Sequence, residues 1–366
     1  MTTAGPTASP AATPTGSPLG QVDATLKAWE REQDLSCATL VTRGGDTVFE
    51  GCYGLADRAH DSRVTPRTRF GLASVTKMFT AVAVADLVGR GRLTFDTAVV
   101  DVLPSGRRPS TLREDVTVHH LLSHTSGIAD YAEEDEDLPG YVEDYGSLWT
   151  DLPSYRVERP ADFLPLFGDL APYSPPGERY RYSNAGFILL GLVVEEVTGR
   201  AYADVVQDRI LDRAGMDASG FFRLDEDRPD VAVGYLPPYL PERDVSLPSR
   251  TNIYSVPVVG GPDGGLFSTT HDLDRFLRAY SDGTLLGGLT EVMVRPHAAM
   301  DGDDGFRTGY GVHLYPDGRY GHGGGDPGVE VLVHRWPERD MHLVVLCNME
   351  GLAAEVRDLL VESLLT

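Results

Sequence analysis

Ser74 and Lys77 stand three residues apart in "FGLASVTKMFTAVAVADLVGRG" (70–91), at the front of a long apolar run. Of the 32 lysines and arginines in the chain only two, Lys27 and Lys77, are lysine. A helix over 75–89 puts Ser74 at its N-terminus and Lys77 one turn on, facing the same way. A serine hydroxyl is a poor nucleophile until a neighbour takes its proton. A lysine held in an apolar site has a lowered pKa, because desolvation penalises the ammonium form. Arginine cannot lose its proton and so cannot replace it. The bland alternative makes Ser74 a helix cap and Lys77 a snorkelling surface residue. The pair alone does not decide between the two.

Two further stretches carry chemistry. In "SPPGERYRYSNAGFILLGLVVEEVTG" (174–199), Tyr182 and Asn184 precede a second apolar helix. Tyr182 acts as a general base at neutral pH only if its pKa falls by about 3 units, roughly 4 kcal/mol of phenolate stabilisation. Asn184 offers a carbonyl to orient Lys77 and an amide to hold a substrate. Read structurally, Ser183 or Asn184 caps the helix and Tyr182 packs. In "YGHGGGDPGVEVLVHRW" (320–336), His322 ends a β-run and Gly323, Gly324 and Gly325 follow. Glycines there let a substrate approach the backbone, and one of their N–H groups with that of Ser74 makes a two-donor oxyanion hole. By itself this stretch reads as a hairpin turn. His119, His120 and His124 also cluster, but no Glu stands in an HExxH arrangement, so no metal site is assigned.

The elements around these residues form a consistent pattern. "GQVDATLKAWEREQD" (20–34) is helical by its apolar spacing, and "CATLVTRGGDTVFEGCYG" (37–54) reads as a hairpin. The far end repeats the theme, with strands over 328–336 and 341–349 and a helix over 352–365. Between them the clearest elements are helices separated by Pro- and Gly-rich loops. The fold class is therefore α+β: one antiparallel sheet assembled from both chain ends, flanked by terminal helices, with a mostly helical part inserted. The expected divisions are a disordered tail at 1–17, a sheet subdomain from 18–72 and 285–366, and a helical subdomain at 73–284, with the site at the junction.

Composition removes several classes of function. The net charge of −23 repels phosphates, which argues against nucleic acid and anionic membrane surfaces as partners. No apolar run approaches the length of a membrane span. The first seventeen residues lack the basic start and apolar core of a secretory signal, so a cytoplasmic location is expected. Cys37, Cys52 and Cys347 are widely spaced in strand-like runs and read as small buried thiols. The acidic stretch 131–146 lacks a calcium-loop pattern and reads as a solvated loop, one that could favour a cationic substrate.

Ser-x-x-Lys, Tyr-x-Asn and His-x-Gly, in that order, resemble the serine β-lactamase and penicillin-binding protein superfamily. The nearest look is to class C β-lactamases, D-alanyl-D-alanine carboxypeptidases and β-lactamase-like esterases. "VTVHHLLSHTSGI", "PGERYRYSNAGFILLG" and "GGPDGGLFSTTHDLDRF" extend the likeness over about 40–350. The resemblance implies that Ser74 is acylated, that Lys77 is its proton partner, and that Tyr182 is general base and proton donor to the leaving group. It further implies that Asn184 orients Lys77 and that Ser74 and Gly325 donate the oxyanion-hole N–H groups. Gly323 and Gly324 then line the substrate. His322 stands where many relatives carry Lys, in electrostatic support of Tyr182. One departure matters: Gly323 replaces the hydroxyl residue that helps many relatives bind a substrate carboxylate. Antibiotic hydrolysis and peptidoglycan trimming are lowered accordingly.

The expectation is a serine acyl-enzyme hydrolase of a small ester or amide, needing no cofactor. A transacylase using an amine or alcohol acceptor, a D-amino-acid carboxypeptidase or β-lactamase, and a non-turnover acyl-trapping protein share the first chemical step. Oligomeric state is left open.

Overall fold

A computed structural model describes residues 17–138, 140–143, 145–237, 250–300 and 305–365. The tail expected at 1–17 lies outside the described residues except for Ser17, whose hydroxyl caps the first helix, Pro18–Glu32. The sheet has eight antiparallel strands. Its order is Ala298–Ala299, Arg307–Thr308, His313–Leu314, Tyr320–Asp326, Val329–Trp336, Met341–Cys347, Cys37–Arg43, Asp46–Tyr53. Strand Cys37–Arg43 pairs with Met341–Cys347, so strands from the two chain ends lie side by side, seventh and sixth in that order, and build one sheet as the sequence pattern implies.

Period-two alternation gives each strand two working faces. Met341, Leu343, Val345 and Cys347 join Val22, Leu26, Val356 and Leu360 from the terminal helices in one core. Val344 and Leu346 join the larger core that holds the helices of the chain's middle. Helix Thr270–Ser281 belongs to that second face, where Asp274 accepts from Thr42 at 2.6 Å and pairs with His342 at 2.8 Å. The inserted region therefore does not stand apart from the sheet but packs down on it. Cys37 and Cys347 face each other in register as free, buried thiols, while Cys52, on the edge strand, is half-buried. Among the described residues no helix is long and apolar enough to cross a membrane.

Two buried helices position the chemistry. Thr76–Gly89 is buried from Thr76 through Leu87, consistent with an apolar sequence on all sides. Asn184–Thr198 is capped by the Ser183 hydroxyl, which accepts from Gly186 N–H, and closes on Gly199 in the left-handed region at φ 68°. Their N-terminal ends converge beside strand Tyr320–Asp326.

Candidate active site

Ser74 lies in the short 3-10 turn Ala73–Val75 that leads into the first buried helix. Ala73 holds a positive φ of 43°, a conformation costly for a residue with a Cβ, so the turn that presents Ser74 is strained. The serine is half-buried, at the mouth of the cavity, while Lys77 is fully enclosed at 0% exposure.

Lys77 Nζ has three partners: Ser74 Oγ at 3.0 Å, Asn184 Oδ1 at 2.8 Å and the Asp263 carbonyl oxygen at 2.8 Å. The last two can only accept, so two N–H bonds are committed to them. The remaining direction points at Ser74, where an ammonium places an N–H and a neutral amine places its lone pair. Burial pushes the Lys77 pKa down, against the raising pull of Asp263, Asp130, Asp326 and Glu134. Burial thus favours the neutral amine, the form in which a lysine acts as a base.

Asp130 sets this arrangement from behind. Its carboxylate accepts from Asn184 N and Ala185 N at 2.8 Å each, from Asn184 Nδ2 at 3.2 Å and from Tyr131 N at 2.8 Å. The Nδ2 contact orients the Asn184 amide so that its oxygen faces Lys77. One of the two Nδ2 hydrogens expected to hold substrate is spent on Asp130. Burial raises the Asp130 carboxyl to about 6, with the surrounding N–H groups and Lys77 resisting. Asp263 sits in "GGPDGG" (260–265), folded so tightly that a Cβ on Gly260 would come within 2.3 Å of Gly265 Cα. Tyr131 O–H donates to the Asp263 carboxylate.

Tyr182 shares a hydrogen bond with Ser74, and its ring centroid lies 4.9 Å from Lys77 Nζ. Its removal from water pushes the phenol well above its usual value, and the nearby carboxylates add to this, against the opposing Ser74 bond. The direction is opposite to the fall a phenolate base requires. His124 stacks on Tyr182 at 4.6 Å and on Phe187 at 5.0 Å. Its Nδ1 accepts from Ser183 N–H at 3.0 Å, which fixes the proton on Nε2. The histidine cluster thus divides: His124 backs the site, His119 bonds the Tyr310 hydroxyl, and His120 closes a capping box with Thr117. No metal-binding group occurs among the described residues.

His322 is brought in, 6.3 Å from Tyr182 between ring centroids and stacked on His313 at 4.3 Å. Burial, with His313 and Lys77 nearby, pushes its pKa well below the usual value. Its Nδ1 donates to the Gly323 carbonyl. The electrostatic support expected from His322 therefore meets an environment that disfavours its charged form, since the ring is buried near Lys77.

The glycine run divides by strand alternation. A Cβ on Gly324 would lie 2.4 Å from Leu72 O and 3.0 Å from Ser74 N, so this residue seats the strand against the catalytic turn. A Cβ on Gly323 would meet Leu332 at 3.2 Å. Neither lines the cavity as expected; Gly325 does, with open space beside it. Strand His313–Leu314 reaches Tyr320 and Gly321 of strand Tyr320–Asp326 and goes no further along it, which leaves the outer edge at Gly325 free of any strand partner among the described residues.

The cavity itself is about 100 Å³, with Ser74, Asn184 and Gly325 beside Tyr131, Tyr145 and Phe163. A cleft of about 990 Å³ adjoins it through Tyr145, Gly325, Asp326 and Val329. The acidic stretch is largely solvated, as expected: Glu134, Asp135, Glu136 and Asp137 are exposed, and burial among its described residues is confined to its start at 131–133. Glu133 is buried and pairs with Arg181 at 3.7 Å, Asp135 pairs with the same guanidinium at 3.2 Å, and Glu134 reaches the cavity.

Asp130, Asp263 and His124 are the contributors that the motifs did not assign. The glycine-rich "GGPDGG" was a visible signal of a tight loop; Asp130 in "SGIADY" carried none.

The beta-lactamase family model matches residues 24–365. A penicillin-binding protein of Bacillus subtilis (strain 168) is 30% identical over 326 residues, spanning 85% of this chain and 67% of that protein. The esterase EstB of Burkholderia gladioli is 35% identical over 216 residues, 57% of this chain and 53% of its own length. Among solved structures, a penicillin-binding protein from Bacillus halodurans superposes with a TM-score of 0.83 at 38% identity, covering 93% of this chain and 99% of that one. The chain belongs to the beta-lactamase family and is a serine hydrolase of that fold.

Proposed function

We propose that the protein hydrolyses a small ester or amide through an acyl-enzyme on Ser74, with Lys77 rather than Tyr182 as the first base. The observation that carries this reading is the set of three Lys77 bonds, two of them to obligate acceptors and the third to the nucleophile. Lys77 takes the Ser74 proton as Oγ bonds the substrate carbonyl carbon. The carbonyl oxygen becomes an oxyanion held by the N–H groups of Ser74 and Gly325. As the tetrahedral centre collapses, the bond to the leaving group breaks. The proton passes from Lys77 through the Tyr182 hydroxyl to that group. Water then attacks the acyl carbon and gives its proton to the same relay, and Ser74 recovers a proton as its bond to the acyl group breaks. A neutral Tyr182 suits the relay, which needs an O–H that can both give and receive.

Transfer to an amine or alcohol is the second reading, supported by the roomy cleft next to Gly325. The two separate on product analysis with a p-nitrophenyl ester and a panel of amines. Release of free acid at one rate, whatever the amine, is the expected result. Formation of a new amide that speeds clearance of the acyl-enzyme overturns hydrolysis in favour of transfer.

A further inference from the structure

Three carboxyl groups reach the cavity at Ser74: Asp263, Asp326 and Glu134. Their surroundings differ. Asp263 is buried and holds the Tyr131 hydroxyl. Asp326 and Glu134 have no hydrogen-bond or ion-pair partner among the described residues. Two other acids of the adjoining cleft are engaged in structure, while Glu143 at its rim is exposed. Glu330 accepts from the backbone N–H groups of Gly351, Leu352 and Ala353, and Glu350 accepts from Gly328 N. No arginine lines the cavity, and the ammonium of Lys77 lies behind Ser74 with all its bonds assigned. Nor does a hydroxyl side chain follow His322, where a substrate carboxylate would need a donor.

A cavity of this kind repels anionic substrates and attracts a cation beside the nucleophile. Aromatic walls strengthen the preference, since Tyr131, Tyr145 and Phe163 offer ring faces to an ammonium. Proximity to the serine limits where the charge can sit on the substrate. The cavity is small, so the cation belongs to the acyl part, close to the carbonyl under attack.

Resting on the hydrolase reading above, we propose that the site selects acyl donors bearing a protonated amine, that is, aminoacyl esters or amides, and that Asp326 and Glu134 are the residues that select them. The carboxyl of Asp326 fits this role. Burial, with Asp263 and Glu350 close by, raises it to about 7, a cost that an incoming ammonium relieves.

The test compares alanine p-nitroanilide, as D and L forms, with N-acetylalanine and propionyl p-nitroanilides, with p-nitrophenyl propionate as a neutral ester. For the unmodified protein, kcat/KM for at least one free-amine anilide should exceed that of both neutral anilides at least tenfold. The advantage should shrink as salt rises, because salt screens the attraction. In Asp326→Asn and Glu134→Gln the ratio of free-amine to neutral-substrate kcat/KM should fall, at least tenfold in the double variant. Equal turnover of free and acetylated substrates by the unmodified protein overturns the proposal, whatever the variants do. So does a ratio that survives both substitutions. Inertness toward p-nitrophenyl propionate as well, with no adduct on Ser74, overturns the hydrolase reading itself and is distinct from loss of amine preference.

Discussion

The Asn184 side-chain oxygen lies 2.8 Å from Lys77 Nζ, and its orientation is set by Asp130, which receives the other end of the same amide at 3.2 Å. The chain Asp130–Asn184–Lys77–Ser74 thus runs from a buried carboxylate to the nucleophile. Each member limits the hydrogen-bonding choices of the next. With the amide oxygen and the Asp263 carbonyl both taken, the third bond of Lys77 in the resting site faces Ser74, the group whose proton it must take first.

Lys77→Arg keeps the charge and removes the ability to lose a proton. Acylation by a p-nitrophenyl ester should slow by about 10²–10⁴, the usual contribution of general acid–base catalysis. In the unmodified protein, acylation should rise with pH as Lys77 deprotonates, with a midpoint below the ordinary lysine value because burial disfavours the ammonium. Stopped-flow acylation rates across pH check both. An arginine variant with near-normal rates would remove Lys77 from the base role.

Tyr182→Phe separates the relay from the base. An amide leaving group needs a proton, whereas p-nitrophenolate leaves without one. Acylation by an anilide or amide should fall at least about a hundredfold, and by an activated ester clearly less. Equal losses on both substrates would assign Tyr182 to the removal of the Ser74 proton instead.

Gly324→Ala tests how the oxyanion hole is built. The added Cβ must move either the Leu72 carbonyl or the Ser74 amide, both backbone atoms. A displaced hole donor should cost about 10²–10³ in kcat with KM changed far less. Gly323→Ala meets only the flexible end of Leu332 and should lose under tenfold. Equal behaviour of the two variants in steady-state kinetics would contradict the seating role of Gly324.

The motif residues were legible in the sequence because they are local: Ser74 and Lys77 share one helical turn, and Tyr182 and Asn184 share one cap. The sheet built from both ends was legible for a similar reason, since period-two runs at either terminus need a common partner layer. Asp130 and Asp263 were not, because they act across 54 and 186 residues of chain to Asn184 and Lys77. The lowered pKa of His322 was equally hidden. It follows from burial beside Lys77, which no spacing encodes.

Stability should weaken in acid through the enclosed histidines. Burial lowers His313 from its ordinary 6.5 to about 4, and lowers His124, His322 and His334 as well. Between the lowered value and 6.5 the unfolded chain binds a proton that the folded ring does not, so stability rises with pH through that window and is complete above it. Asp130 and Asp326, raised by burial, act with the opposite sign below about 6 and 7, so a single substitution isolates the histidine term. For His313→Phe, urea unfolding between pH 4 and 6.5 should show a stability slope shallower by roughly one proton. An unchanged slope would mean that His313 takes up its proton in the folded state.

The most direct test of the central claim is intact-protein mass spectrometry in the first seconds after mixing with a p-nitrophenyl ester, followed by peptide mapping. The account predicts one acyl group on Ser74 that forms and then clears, with no adduct in a folded Ser74→Ala variant. An adduct that persists in that variant, or turnover by the unmodified protein with no acyl group on Ser74, would contradict it.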